Sequence, residues 1–155
     1  MLMAEKKSKK KFAVPAIITM VCVHDDEIMN DSADFELTTK GVFSRDGDRF
    51  SISYEDSEAT GFENSTTIIE VEGAVNASVR REGETPSELI LETEKKHHCH
   101  YGTPYGNLML GVYTKLIDNR LGDKGGKLEL RYVIDSNGAF VSENWINLSV
   151  EPENV

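Results

Sequence analysis

"ADFELTTKGVFSRDGDRFSISYED", residues 33 to 56, is two runs of alternating side chains set about a turn. In the first run Phe35, Leu37, Thr39, Gly41 and Phe43 share one face, and Glu36, Thr38 and Lys40 share the other. In the second, Phe50, Ile52 and Tyr54 oppose Ser51, Ser53 and Glu55. A period of two places successive side chains on opposite faces of a strand and argues a sheet with one wet side. The intervening "SRDGDR" carries an Asp-Gly pair, the turn chemistry of a tight hairpin, because both residues tolerate positive φ.

The same alternation recurs along the chain. A strand is predicted over residues 17–23, and further ones in "TTIIEVEG", "AVNASVRREG", "SELILETE", "GNLMLGVYTKLI", "KLELRYVID" and "AFVSENWINLSVE". Gly73, Gly83, Pro86, Gly102, Gly106, Gly125, Gly126 and the Asn137-Gly138 pair punctuate them. Nine strands follow, and no segment has the three-to-four spacing of an amphipathic helix. A meander of hairpins manages its edges by closing or by stacking as a sandwich. With no cysteine-tryptophan-cysteine pattern of an immunoglobulin sandwich, the expectation is all-β: a single antiparallel up-and-down barrel, able to hold one small ligand.

At 155 residues the chain suits one domain, expected over 13–155 behind a basic, disordered arm at 1–12 that carries Lys6, Lys7, Lys9, Lys10 and Lys11. The net charge is −10, and the body without its arm is more acidic still, so nucleic acid is not an expected partner. The apolar run after the arm is too short to span a bilayer. It also meets "HDDE" with no small-residue cleavage site, so neither export nor a membrane anchor is expected. Two cysteines, Cys22 and Cys99, suit a reducing cytoplasm, where the Asn-x-Ser/Thr matches at Asn64, Asn76 and Asn147 carry no meaning.

The order "FSISYED…TGFENSTTIIEVEG", then Arg81-x-Gly83, "YGTPYGNLMLGVYTKLI", "GGKLELRYVID" and a final "NWINLSVE" resembles the YwiB-like family of bacterial proteins, over about residues 16–151. The resemblance implies a calycin-type, lipocalin-like barrel. It brings no function and no catalytic residues.

The stretch "EKKHHCHYGTPYG", 94 to 106, has the residue types of a metal site. On a strand, however, His98 and His100 share one face while His97 and Cys99 share the other, and zinc needs three or four converging ligands. A solvated loop at a strand end is expected, with no metal and no cofactor. Nucleophilic catalysis lacks a Gly-x-Ser-x-Gly elbow, and phosphate binding lacks a Gly-rich loop before a helix, so the chain is not expected to be an enzyme.

What remains is the barrel interior. Parity sets apolar residues from Phe35 to Leu148 inward, Val75 and Leu108 among them, together with polar Thr39, Arg81, Thr114 and Asn144 and the hydroxyls of Tyr54 and Tyr132. Arg81, Tyr54, Tyr132, Thr114 and Asn144 are the candidate ligand-binding residues: turned inward, Arg81 orients a small apolar or anionic ligand, and its other reading is a solvated arginine at a strand end. The rival is a protein-interaction or structural barrel with a filled interior. Trp145, opposite in parity to Ile146, is expected outside, as an anchor for a partner or a homodimer. Gly41 is expected at a bulge or bend. If 89–97 is one crossing strand, Arg81 and Tyr101 belong to opposite rims.

Overall fold

The computed structural model describes residues 10–26, 31–56, 64–103 and 105–153. Ten strands contain nearly all of them: β1 (Lys11–Asp26), β2 (Asp31–Asp46), β3 (Arg49–Glu55), β4 (Thr66–Glu72), β5 (Asn76–Glu82), β6 (Ser87–Glu92), β7 (Lys96–Thr103), β8 (Gly106–Gly122), β9 (Gly125–Ser136) and β10 (Ala139–Pro152). Each strand runs antiparallel to the next, and β1 pairs with β10 to close the barrel. The expected up-and-down barrel is therefore the observed fold. Among the described residues no helix is long and apolar enough to cross a membrane.

The tenth strand is the histidine stretch. Residues 96–103 pair with β8 along their whole length, from Lys96↔Tyr113 to Thr103↔Gly106, so this segment is a strand and not the expected loop. Its polar composition hides a backbone fully used in a ladder. The chain reverses before it at Thr93–Lys95, where Glu94 takes a φ of 63° and the Lys95 N–H donates to the Glu92 carbonyl. The first strand is also longer than 17–23. It begins at Lys11, inside the expected arm, because Phe12 packs edge-on against Phe43 with ring centroids 5.7 Å apart. The β2–β3 hairpin turns on Gly47 and Asp48, one residue later than the Asp-Gly reading, since Asp46 pairs with Arg49.

Of the nine connections between consecutive strands, five stand at one rim and four at the other. The rim of the β2–β3, β4–β5, β6–β7 and β8–β9 turns is closed by packing: Phe43 stacks on Phe50 at 5.7 Å, above a layer in which Ile18, Ile52, Val71 and Leu128 are fully buried. Val75, expected inside, lies in the β4–β5 turn at 52% exposure, because the strand pairing stops at Asn76. On β8 a register shift between Thr114 and Leu116 resets the alternation, so Ile117 enters the core and Leu116 faces out.

Two places in the wall are thinly laced. Among the described residues, strand β3 pairs with β2 only over Val42–Asp46, and the first part of β2 is joined to β1 alone. Between β6 and β7 a single backbone pair is formed, Ser87↔Tyr101; further along, the Ile90 N–H donates to the Cys99 sulfur at 3.3 Å in place of a carbonyl. Gly41 sits where β2 parts from β3. No bulge occurs there, since the register with β1 is continuous through Ala16↔Gly41. Glycine is required by proximity instead: a Cβ would lie 2.2 Å from the Ser53 carbonyl oxygen and 2.5 Å from Ile18 Cδ1.

Candidate functional site

The rim at which β1, β3, β5, β7 and β9 end is hollow. A cavity of about 600 Å3 descends from it, floored by Met20, Ile69, Leu89, Leu110 and Ile146. Period-two alternation builds this shape: every second residue of each strand points in, and toward this rim the inward residues change from aliphatic to polar.

Among the described residues, three hydrogen-bonded polar clusters stand around the mouth. On β5, β6 and β7, Arg81 donates to the Ser87 hydroxyl at 3.4 Å, and its guanidinium carbon lies 6.0 Å from the centre of the Tyr101 ring. On β3 and β4, the Thr67 hydroxyl donates to the Asp56 carboxylate at 2.7 Å. On β1 and β10, His24 Nδ1 and Asn144 Oδ1 are 2.7 Å apart, and Asn144 Nδ2 donates to Ser142 Oγ at 3.1 Å. The β8–β9 sector is mostly apolar, with Leu108, Leu110 and Ile134, and ends in Ser136. Leu108, expected in the core, lines the cavity but is 51% exposed, because it stands at the lip.

Deeper in, the Tyr54 hydroxyl points at Met20 Sδ, 3.7 Å away. Burial pushes the Tyr54 and Tyr132 hydroxyls well above the ordinary phenol range, while the charge of Arg81 acts in the opposite sense on both. Burial also pushes the Cys22 thiol, on the cavity wall, up to about 11. These groups are neutral near pH 7, so the lower cavity offers hydroxyl and thiol donors in an apolar surround.

Of the five residues singled out from sequence, Arg81, Tyr54, Tyr132 and Asn144 line this one cavity. Thr114 does not. It is inward and fully buried, as its parity requires, but its backbone is tied to the β6–β7 turn through Glu94 and Lys95, away from the cavity lining. Arg81 and Tyr101 belong to the same rim and not to opposite ones, because the extra strand β7 returns the chain to the Arg81 end. Sequence reading passed over Cys22, His24, Asp56, Ser87 and Ser142. Continuing the alternation Ile18, Met20, Cys22 by one step reaches His24, so that residue was within its range.

The histidines do not gather. His98 and His100 face outward, His97 contacts the Glu92 carboxylate at 2.9 Å, and Cys99 lies in the core at 3% exposure. Among the described residues no three His, Cys, Asp or Glu side chains are placed to hold one metal ion. Trp145 lies on the outer face as its parity predicts, under the Arg131 guanidinium, whose carbon is 4.0 Å from the ring centre.

Comparison with known proteins gives two matches. A family model described as a domain of unknown function, DUF1934, matches residues 18–148. The crystal structure of the ywiB protein from Bacillus subtilis superposes with a TM-score of 0.77 at 18% identity, covering 92% of this chain and 94% of that one, a likeness of fold. No curated protein matches the chain.

Proposed function

The chain belongs to the DUF1934 family, and from that premise we propose that it is a non-catalytic binding protein that holds one small, partly apolar anion in the hollow end of its barrel. The observation that carries this reading is the cavity: about 600 Å3 in volume, with an apolar floor and Arg81 at its mouth. That volume lies in the range of small-molecule sites, which combine apolar walls with a few polar groups that fix orientation. A guanidinium pairs with a carboxylate or phosphate in a fork geometry. Asp56 on the same rim disfavours a second negative charge, so the ligand is a monoanion with an apolar body. A barrel acting only through its surface has no use for such a space. The free thiols of Cys22 and Cys99 suit a reducing compartment, and a cytoplasmic setting is part of the proposal.

The test is titration with an anionic naphthalene sulfonate dye, followed by displacement with a medium-chain fatty acid. Wild type should brighten the dye. Arg81→Gln should weaken binding about tenfold, the loss of one charge-assisted hydrogen bond. Val79→Phe, which fills the cavity, should abolish it, while His98→Ala/His100→Ala on the outer face should match wild type. No brightening in wild type, with no copurifying mass in native mass spectrometry, overturns the proposal. Unchanged affinity in Arg81→Gln removes the arginine from it.

A further inference from the structure

Among the described residues the upper part of β2 is a strand edge. Its partner on one side is β1, paired over the full length from Lys11↔Asp46 to Asp26↔Asp31. On the other side β3 pairs only from Val42 to Asp46, and among the described residues no strand pairs with β2 before Val42. The β2–β3 turn has two residues between the paired Asp46 and Arg49, so the closing pair exchanges both its backbone hydrogen bonds. Counting back in twos from Asp46, the residues whose N–H and C=O point to that side are Ser44, Val42, Lys40, Thr38 and Glu36. Ser44 and Val42 spend theirs on Ser51 and Ser53. Lys40, Thr38 and Glu36 present theirs at the edge, and all three side chains are exposed. A row of such groups is a template for another strand.

We infer that this edge pairs antiparallel with the same edge of a second copy of the chain, about a two-fold axis at Thr38. The charge pattern selects that occupant and register. Placing Thr38 opposite Thr38 brings Glu36 of each copy opposite Lys40 of the other, on the outer face, where opposite charges across an antiparallel pair attract. A shift by two residues places Glu36 against Thr38 and loses both contacts. The backbone alternation agrees, since 36, 38 and 40 all point outward at the edge and are the residues the two-fold operation brings together. The result is isologous, as a closed dimer requires. Among the described residues the ion pair of Lys40 is a loose one, 3.8 Å to Glu153 with 80% of the lysine side chain exposed, so little is given up when it turns to the second copy.

A contact of one strand edge is small and gives a weak, reversible dimer. The experiment is sedimentation equilibrium from about 10 µM to about 1 mM, in low salt. Wild type should show a monomer–dimer equilibrium. Glu36→Lys and Lys40→Glu, each alone, set like charges opposite and should raise the dissociation constant about tenfold. The double exchange Glu36→Lys/Lys40→Glu should restore it, which a merely structural role for either residue would not produce. Thr38→Pro removes an edge N–H that β1 does not use and should abolish the dimer while leaving the melting temperature within a few degrees. Hydrogen exchange should show the Glu36, Thr38 and Lys40 amides protected only at high concentration. A wild type that stays monomeric throughout overturns the inference. So does a dimer indifferent to Thr38→Pro, or one that the double exchange fails to restore.

Discussion

Gly41→Ala tests the account of how the barrel wall is built. The new Cβ would stand 2.2 Å from the Ser53 carbonyl oxygen and 2.5 Å from Ile18 Cδ1, where ordinary contact needs about 3.4 Å. Ile18 is fully buried, so its tip has no free space to enter, and the Ser53 oxygen belongs to the last pair of the β2–β3 ladder. Relief therefore requires β3 to move away by about 1 Å. Overpacking of this kind costs roughly 1–3 kcal/mol, and a weakened ladder hydrogen bond adds about 0.5–1.5 kcal/mol. The stiffer unfolded chain offsets about 0.4–1 kcal/mol. The net is a loss of about 2–3 kcal/mol, or about 5–10 °C in melting temperature for a chain of this size. Calorimetry and urea unfolding would read it, with Gly122→Ala as the control, because a Cβ there meets nothing within 4 Å. Gly41→Val should be worse than Gly41→Ala. A Gly41→Ala protein that melts within about 1 °C of wild type would refute the claim that close approach of β3 dictates this glycine.

Three other expectations concern single side chains. Cys99→Ala leaves the Ile90 N–H without its acceptor and should cost about 1–3 kcal/mol; Cys99→Ser keeps an acceptor and should cost less, and the reverse order in urea unfolding would exclude the sulfur from the β6–β7 junction. The Cys22 thiol, with its folded pKa raised to about 11 by burial, should react with iodoacetamide at pH 8 far more slowly than the same thiol in urea. That raised pKa stabilises the fold below the ordinary thiol range, and the contribution is lost as pH climbs from about 9 through about 11; a Cys22→Ala variant should have the flatter alkaline stability profile. Arg131→Ala uncovers the Trp145 ring and should shift its emission to longer wavelength while costing under about 1 kcal/mol, and an unmoved spectrum would mean that the guanidinium does not cover the ring.

Period-two alternation made the barrel legible, because half-buried strands must place apolar residues at every second position. It failed at β7, where Cys99 is the only aliphatic-like residue turned into the core and the rest of "KHHCHYGT" is polar or aromatic. Missing one strand reverses the rim assignment of everything before it relative to everything after, and so Arg81 and Tyr101 were set apart. Parity also gives the face of a residue and not its height along a tilted strand. Thr114 and Tyr132 are cross-strand neighbours with the same inward sense, yet only Tyr132 reaches the cavity. The Gly41 position is recognisable as unusual from sequence, but the close approach of the Ser53 carbonyl and the Ile18 side chain on the neighbouring strands depends on how the strands sit against one another, which the residue pattern does not encode, and a bulge is the wrong cause.

The pairing of β1 with β10 has a consequence for how the protein is made. Every other ladder joins strands that are consecutive in the chain, whereas Ala16 to Asp25 must wait for Pro152 to Glu143. β1 ends at Asp26 and β10 begins at Ala139, so at roughly 5–20 residues per second the ribosome delivers the partner on the order of 5–20 s later. During that interval the nascent chain can form its hairpins one by one, but β1 keeps an open side that carries Ile17, Val21 and Val23 on one face and Ile18 and Met20 on the other. A ribosome that stalls or terminates before Ala139 releases a string of competent hairpins in which β1 stays unpaired on one side, and quality control would meet the product at β1 although the missing residues are those of β10.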